Sequence, residues 1–416
     1  MKAAVLSIGT ELTRGELVNS NGAWLGDRLT VLGFDVVEHR TVDDDRSRIV
    51  TALRELSERV RVVVCTGGLG PTGDDLTTEA VAAVLGVGVR RDEPTLQRLH
   101  HKWAALGVEM PSSNEKQADF PEGADILPNP VGTAPGFTVA LGEARLFFLP
   151  GVPSEMRHLF DESVVPRVAP HVERRAHQVH IRSFGMTESQ VGDALADLHD
   201  PERGISIGYR ASFPEIEVKV LARSESEVEA EENARRVADE VRRRLGDVAY
   251  GERDDTFAGA VGRVLRGRGL TLAVAESCTG GLIGSMVTKV AGSSDYLLMD
   301  AVTYANSAKT KMLGVNEDIL RAHGAVSGEA AEAMAEGALR LSGADLAVSV
   351  TGIAGPGGGS EDKPVGTVWF GLAQRDGPTV VKLRQLPGDR ERIRVLAAYV
   401  ALKLVMRAAK GELGGG

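Results

Sequence analysis

The sequence is poor in several features that would have set its class. It has two cysteines, Cys65 and Cys278, in 416 residues. Two cannot make a disulfide framework, and such usage is expected of a reducing, cytoplasmic setting. Aromatic residues are 4% of the chain, too few for base-stacking platforms to be its main business. Basic side chains are in deficit: 48 Lys and Arg stand against 58 Asp and Glu, a net charge of −10. Phosphate-backbone binding needs a basic surplus, so no direct nucleic-acid contact is expected. No apolar run approaches the ~20 residues of a membrane span, so no membrane partner is expected either. The opening Met1–Gly9 is apolar but short and runs into Glu11 without a cleavage pattern. It reads as a buried first strand, not a signal peptide.

What is present is globular. Hydrophobic residues at 43% and charged residues at 25% exclude a disordered or collagen-like chain. At ~100–200 residues per domain the length implies two to four domains. The 49 glycines show no period, which places them in specific loops. Residues 1–170 alternate strands (Ala3–Ile8, Asp35–Arg40, Val60–Cys65) with helices (Asn19–Gly33, Arg46–Arg59). That order implies a three-layer α/β domain, a parallel sheet covered on both faces, with ligands beyond the carboxyl ends of its strands.

Residues 171–252 change character, with strands at Val179–Phe184, Ile205–Tyr209 and Ile216–Ala222 and helices at Glu188–Leu198 and Ser226–Leu245. The second helix is polar. Its Glu231/Arg235, Glu232/Arg236, Asp239/Arg243 and Glu240/Arg244 spacings support a solvated helix. This small α+β, KH-like module lacks a Gly-x-x-Gly clamp, so a spacer or dimerisation role is favoured over RNA binding. Residues 253–416 read as a third, α/β domain. Asp255 or Thr256 caps its first helix, and strands fit Leu270–Ala275, Leu297–Tyr304, Leu346–Val350, Gly366–Ala373 and Thr379–Gln385. Helices fit Thr279–Val290 and a Ser327-capped run to Leu341. Asp389 caps a last helix with Ile393, Leu396, Val400 and Leu404 on one face, and the tail 411–416 is expected to fray.

The third domain carries the sharper chemistry. Ala275-Glu276-Ser277-Cys278-Thr279-Gly280-Gly281 stands at a strand-to-helix corner, where backbone N–H groups can receive a developing oxyanion. No histidine lies in the neighbouring motifs to activate Ser277. A desolvated lysine can, and Lys309 follows the next strand, with Tyr304 able to orient or relay the proton. The ordinary alternatives are a helix cap for Ser277 and a solvated surface lysine. Cys278 is a rival nucleophile. A second glycine loop, Thr351–Ser360, offers amides for phosphate or ribose, or is merely a flexible connection. Arg390 can grip an anion or lie on the surface of a first turn.

These segments, AESCTGG at 275–281, VTYANSAK at 302–309, HGAVS at 323–327, GIAGPGGGSEDKPVGTV at 352–368 and GDR at 388–390, resemble the nicotinamide-nucleotide amidase family. The resemblance implies hydrolysis of nicotinamide mononucleotide to nicotinate mononucleotide and ammonia, without a cofactor. It implies Ser277 as nucleophile, Lys309 as general base and Tyr304 as its partner. Thr279, Gly280, Gly281, Gly352, Gly355, Gly357, Gly358 and Arg390 would bind substrate. Ala305 stands where the family often has serine.

In the first domain, Thr66-Gly67-Gly68-Leu69-Gly70-Pro71-Thr72-Gly73-Asp74-Asp75 sets a glycine turn before two carboxylates. Val42-Asp43-Asp44-Asp45 follows an earlier strand and can face the same edge. Glycine amides approach phosphate and aspartates hold a divalent cation bridging it; alternatively Asp75 is a helix cap and Asp43–Asp45 a polar turn. With IGTELTRGELVNSN at 8–21, NPVGTAPGF at 129–137 and LPGVPSEM at 149–156, this region resembles the amino-terminal, MogA-like domain of the full-length CinA family (competence/damage-inducible protein). The resemblance implies a metal-dependent ADP-ribose pyrophosphatase. Asp44 and Asp75 would hold Mg²⁺ or Co²⁺, and Gly67, Gly68, Gly70 and Asp74 would contact substrate. A homodimer is implied as well. The alternatives are a non-catalytic first domain, a competence adaptor and a molybdopterin-handling protein.

Overall fold

The computed structural model describes residues 1–412; residues 413–416, with most of the tail expected to fray, lie outside the described residues. By spatial contact the chain divides into two compact units. One is Met1–Gln178 with Leu198–Ser206 and Val220–Val237; the other is Val179–Asp197 with Ile207–Lys219 and Ala238–Gly416.

Within the first unit, β1 (Lys2–Ile8), β2 (Asp35–Val42) and β3 (Val62–Thr66) are parallel neighbours in one sheet. A short ribbon, β4 (Val89–Arg91) with β5 (Asp119–Pro121), stands apart. The main sheet continues through β6 (Asp125–Leu127), β7 (Gly136–Leu141) and β8 (Ala144–Leu149) in the order β2-β1-β3-β8-β7-β6. Successive side chains on a strand face opposite ways, and the sequence exploits this. Ala4, Leu6, Ile8, Val63 and Cys65 share a core with Ile49, Leu53 and Leu56 of helix Arg46–Ser57. Ala3, Val5, Val62 and Val64 share another with Leu25 and Leu29 of helix Ser20–Leu32. Three layers result. Asn19 caps the latter helix by accepting from the Gly22 N–H. The expectation of a wholly parallel sheet is corrected at one side, because β7 pairs antiparallel with both β8 and β6. The two-residue link Gly142-Glu143 permits no other pairing.

The middle region forms a four-stranded sheet from β9 (Arg175–Phe184), β10 (Ile205–Ser212), β11 (Glu215–Ser224) and β12 (Ala249–Glu252), in the order β10-β11-β9-β12. The sequence reading missed β12, whose four residues carry no periodicity of their own. Of the four acid–base pairs expected on helix Glu227–Leu245, Glu231–Arg235 and Glu240–Arg244 form. The other two are replaced by closer partners: Arg236 turns to Asn233, and Arg243 to Glu240.

The third region is a five-stranded sheet of β13 (Leu272–Glu276), β14 (Leu297–Val302), β15 (Leu346–Gly352), β16 (Thr367–Gln374) and β17 (Gly377–Gln385), ordered β14-β13-β15-β16-β17. The first three run parallel; β16 and β17 are antiparallel. Thr256, not Asp255, caps helix Phe257–Arg268, and Ser327 and Asp389 cap theirs as expected. The last helix buries Ile393, Ala397, Ala401 and Val405 together with Leu404, whereas Leu396 and Val400 are only half-buried. Small alanines let this helix approach the sheet, a signal that a search for large apolar residues passes over. The helix expected from Thr279 begins at Leu282. Gly280 and Gly281 take φ +62° and +90°, left-handed values that an α-helix cannot contain.

Candidate functional site

Three parallel strand ends meet at Ser277. The Ser277 N–H donates to Val350 O on β15 at 3.0 Å, and the Thr303 N–H, just beyond β14, donates to Glu276 O at 2.8 Å. The Ser277 turn is thereby fixed between two neighbouring strands. Beyond β14, helix Asn306–Leu313 points Lys309 back under the turn. Its side chain is 1% exposed, and Nζ lies 3.0 Å from Ser277 Oγ. Nζ also donates to the carbonyl oxygens of Thr303 at 2.8 Å and Tyr304 at 3.4 Å. No carboxylate is paired with it among the described residues. Desolvation pushes its pKa below the usual lysine value. A neutral amine in this place donates its two N–H bonds to the carbonyls and presents its lone pair to the serine proton.

Tyr304 is placed differently from expectation. Its ring is 62% exposed, and its hydroxyl lies 3.1 Å from Arg390 Nη2; only its backbone carbonyl reaches Lys309. Arg390 also donates to Gly355 O at 2.7 Å, tying the second glycine loop to the helix Arg390–Lys410. Gly352 packs against Thr367, where a Cβ would meet the carbonyl oxygen at 2.8 Å, while Gly357 faces open space and Gly358 takes φ +85°.

Cys278 is 7% exposed within the apolar core, and burial pushes its thiol up to about 12. A thiol held so high is protonated at neutral pH, which counts against it as the nucleophile. Several amides of this corner are not free to receive an oxyanion. The Gly281 N–H is taken by Glu276 Oε2 and the Gly284 N–H by Glu276 Oε1, both at 2.9 Å. The Gly280 N–H turns back to Ser277 O at 3.2 Å. The amides of Cys278 and Thr279 have no carbonyl or carboxylate partner among the described residues. Thr279 is fully buried, with its hydroxyl unpartnered among the described residues and its carbonyl accepting from Arg394 at 2.9 Å. Sequence reading missed Glu276, although it stands in the motif beside the serine.

A second constellation lies at the strand ends of the first unit. A cleft of about 550 Å³ is lined by Gly67, Gly68, Gly70, Asp44, Asp74 and Asp75. Gly67 is obligatory: at φ +104° its Cβ would strike Ile8 O at 2.0 Å. Asp44 Oδ2 accepts from the Thr10 N–H and hydroxyl, each at 2.8 Å. Asp75 does not cap a helix; its Oδ2 accepts from the Thr72 N–H at 2.8 Å and from the Thr72 hydroxyl. Asp45 caps helix Arg46–Ser57, and Asp43 pairs with Arg48. Asn21, also on the cleft, donates to Gly151 O at 2.7 Å and leaves its buried Oδ1 without a partner among the described residues. Among the described residues no group of three or more His, Cys, Asp or Glu side chains is arranged to hold a metal. The donor set here fits only a cation that completes its shell with water and substrate phosphate. No described helix is long and apolar enough to cross a membrane.

Comparison with known proteins follows the same division. Residues 4–170 match a family described as a probable molybdopterin binding domain, residues 178–251 the damage-inducible protein CinA KH domain, and residues 254–409 the CinA C-terminal domain. A CinA-like protein of Geobacter sulfurreducens is 47% identical over 412 residues, covering 98% of this chain and 99% of that protein. One from Geobacter metallireducens is 44% identical over 98% of this chain and 99% of its own. Among solved structures, the competence/damage inducible protein CihA from Agrobacterium tumefaciens is 43% identical, with TM-score 0.36, over 37% of this chain and 93% of its own. CinA from Thermoplasma acidophilum, of unknown function by its own description, is 36% identical, with TM-score 0.37, over 40% and 97%.

Proposed function

The chain belongs to the CinA family, with MogA-like, KH and CinA C-terminal domains in one α/β protein, and from that premise we propose that its C-terminal domain is a serine amidase acting on nicotinamide mononucleotide. The observation that carries this reading is the buried, carboxylate-free Lys309 amine 3.0 Å from Ser277 Oγ. A serine hydroxyl needs a neighbouring base, and a desolvated lysine is one. The Ser277 proton passes to Nζ as Oγ bonds to the carboxamide carbon. The Cys278 amide, which has no carbonyl or carboxylate partner among the described residues, receives the oxyanion. Collapse returns the proton to the leaving nitrogen and releases ammonia. Water, deprotonated by the same amine, then cleaves the ester to give nicotinate mononucleotide. Arg390 and the Gly355 loop hold the phosphate, and Tyr304 supports Arg390 and covers the ring. Ammonia release from nicotinamide mononucleotide by wild type, and its loss in Ser277→Ala, tests the assignment. Release retained in Ser277→Ala contradicts it.

For the first domain we propose a cation-dependent ADP-ribose pyrophosphatase. Its support is the meeting of Asp44, Asp75 and the Gly67–Gly70 turn on one cleft. A divalent cation bound there would neutralise the pyrophosphate and acidify a bound water. The chain's own part is to bind and orient: glycine amides approach the phosphates, and Asn21 Oδ1 accepts from a sugar hydroxyl or water. Wild-type turnover of ADP-ribose in the Asp44→Ala and Asp75→Ala proteins contradicts this reading.

A further inference from the structure

Glu276 lies directly before the nucleophile, is fully buried, and bridges two amides, those of Gly281 and Gly284. It therefore ties the end of β13 to the start of the following helix, closing the segment that presents Ser277, Cys278 and Thr279. A buried carboxylate held by two neutral amides alone is costly, and a third donor lowers that cost. Asp300 is in place to supply one. It sits on the adjoining strand β14, in register with Val274 two residues before Glu276. Its carboxyl approaches over Gly284, where a Cβ would lie 1.9 Å from Asp300 Oδ2, so any larger residue at 284 would displace it. Its Oδ1 is buried without a partner among the described residues. A carboxylate there would be repelled by Glu276, and its buried Oδ1 would lack a donor; a carboxylic acid would have a ready acceptor.

We infer that Asp300 is a positioning residue of the amidase site, a neutral carboxylic acid that donates a hydrogen bond to Glu276 and so holds the Ser277 turn in register with Lys309. Burial and the neighbouring Glu276 raise its pKa to about 7, so the carboxyl holds its proton below neutrality and gives it up as pH rises through that value. No covalent step falls to it. It acts on the nucleophile only through the Glu276 clamp. The inference rests on the amidase reading for its substrate, but not for its geometry.

The test compares Asp300→Asn with Asp300→Ala on protein whose cooperative melting shows it folded. The Asn amide can still donate to Glu276; the Ala methyl cannot. Asp300→Ala is expected to lower kcat for ammonia release about tenfold, with KM within about twofold, as misplacement of the turn would do. Asp300→Asn is expected to keep kcat within about threefold of wild type. If Asp300→Ala does not fold, Asp300→Ser, whose hydroxyl is too short to reach Glu276, replaces it. Wild-type kcat in Asp300→Ala, or an Asn protein as slow as the Ala protein, overturns the inference. A second readout needs no amide substrate: the labelling rate of Ser277 by a fluorophosphonate should fall in Asp300→Ala and recover in Asp300→Asn. If wild type releases no ammonia yet shows this labelling pattern, the amidase reading fails and the positioning role stands. If wild type releases ammonia and the Asp300 variants match it in both assays, the reverse holds.

Discussion

At the end of β13 the reacting groups already touch. Lys309 Nζ is 3.0 Å from Ser277 Oγ, and the amine is sealed from water. At the end of β3 the comparable glycine turn also faces a cleft, but its carboxylates are turned to local hydroxyls: Asp44 to Thr10 and Asp75 to Thr72. Both edges use the same device, a tight glycine turn after a parallel strand. They differ in where the charge chemistry comes from. The third domain lowers a lysine's proton affinity by burial, so on the proposed reading the protein alone would make its base. The first domain leaves its acids at least partly exposed, and an exposed carboxylate gains catalytic force only from a bound cation and an incoming phosphate. The comparison teaches that glycine loops mark an edge where a ligand can approach, while the burial of nearby charges decides what the edge can do unaided.

The comparison breaks most easily at the serine. Ser277→Ala is expected to lower ammonia release by at least about a thousandfold and leave ADP-ribose turnover unchanged, measured on one preparation. Next comes the base. Lys309→Ala should cost ~10²–10⁴-fold in kcat/KM. Because burial lowers the Lys309 pKa, the neutral form grows as pH rises through that depressed value. The wild-type rate should therefore climb with pH through that value, which lies below the ~10.4 of an ordinary lysine, while loss of the Asp300 proton above about 7 works against the climb. Lys309→Arg, whose side chain stays charged, should lose that limb. At the other edge, Asp44→Ala and Asp75→Ala should each lower ADP-ribose turnover about ten- to hundredfold, and added Mg²⁺ should not restore them. Arg390→Ala should raise KM for nicotinamide mononucleotide roughly tenfold, the scale of one charge-assisted hydrogen bond, with a smaller change in kcat. The smallest effect concerns stability. Ala305 occupies the N-cap of the lysine's helix without a side-chain cap. Ala305→Ser should add about 1 kcal/mol in denaturant unfolding and leave the rate unchanged.

Much of the architecture could be read from the sequence because it rests on period and caps. Strand cores such as Val62–Thr66 are continuous apolar runs, and Asn19, Ser327 and Asp389 announce their helices. What escaped depends on contacts made at a distance. β12 exists only because β9 offers it an edge, and Tyr304 turns away from Lys309 because Arg390 is there to receive it. The helix start slipped by three residues because Gly280-Gly281 reads equally well as a first turn or as its interruption. Glu276 and Asp300 were hidden for another reason. A carboxylate beside a serine resembles any polar corner until the strand register brings a second carboxyl across from it.

The most direct test of the contrast places both substrates in one chelated sample of the wild-type protein. Ammonia release from nicotinamide mononucleotide should continue at its full rate while ADP-ribose turnover stops and then returns with added Mg²⁺ or Co²⁺. Ammonia release that falls with the chelator, or ADP-ribose turnover that survives it, would contradict the claim that burial arms one edge and a cation the other.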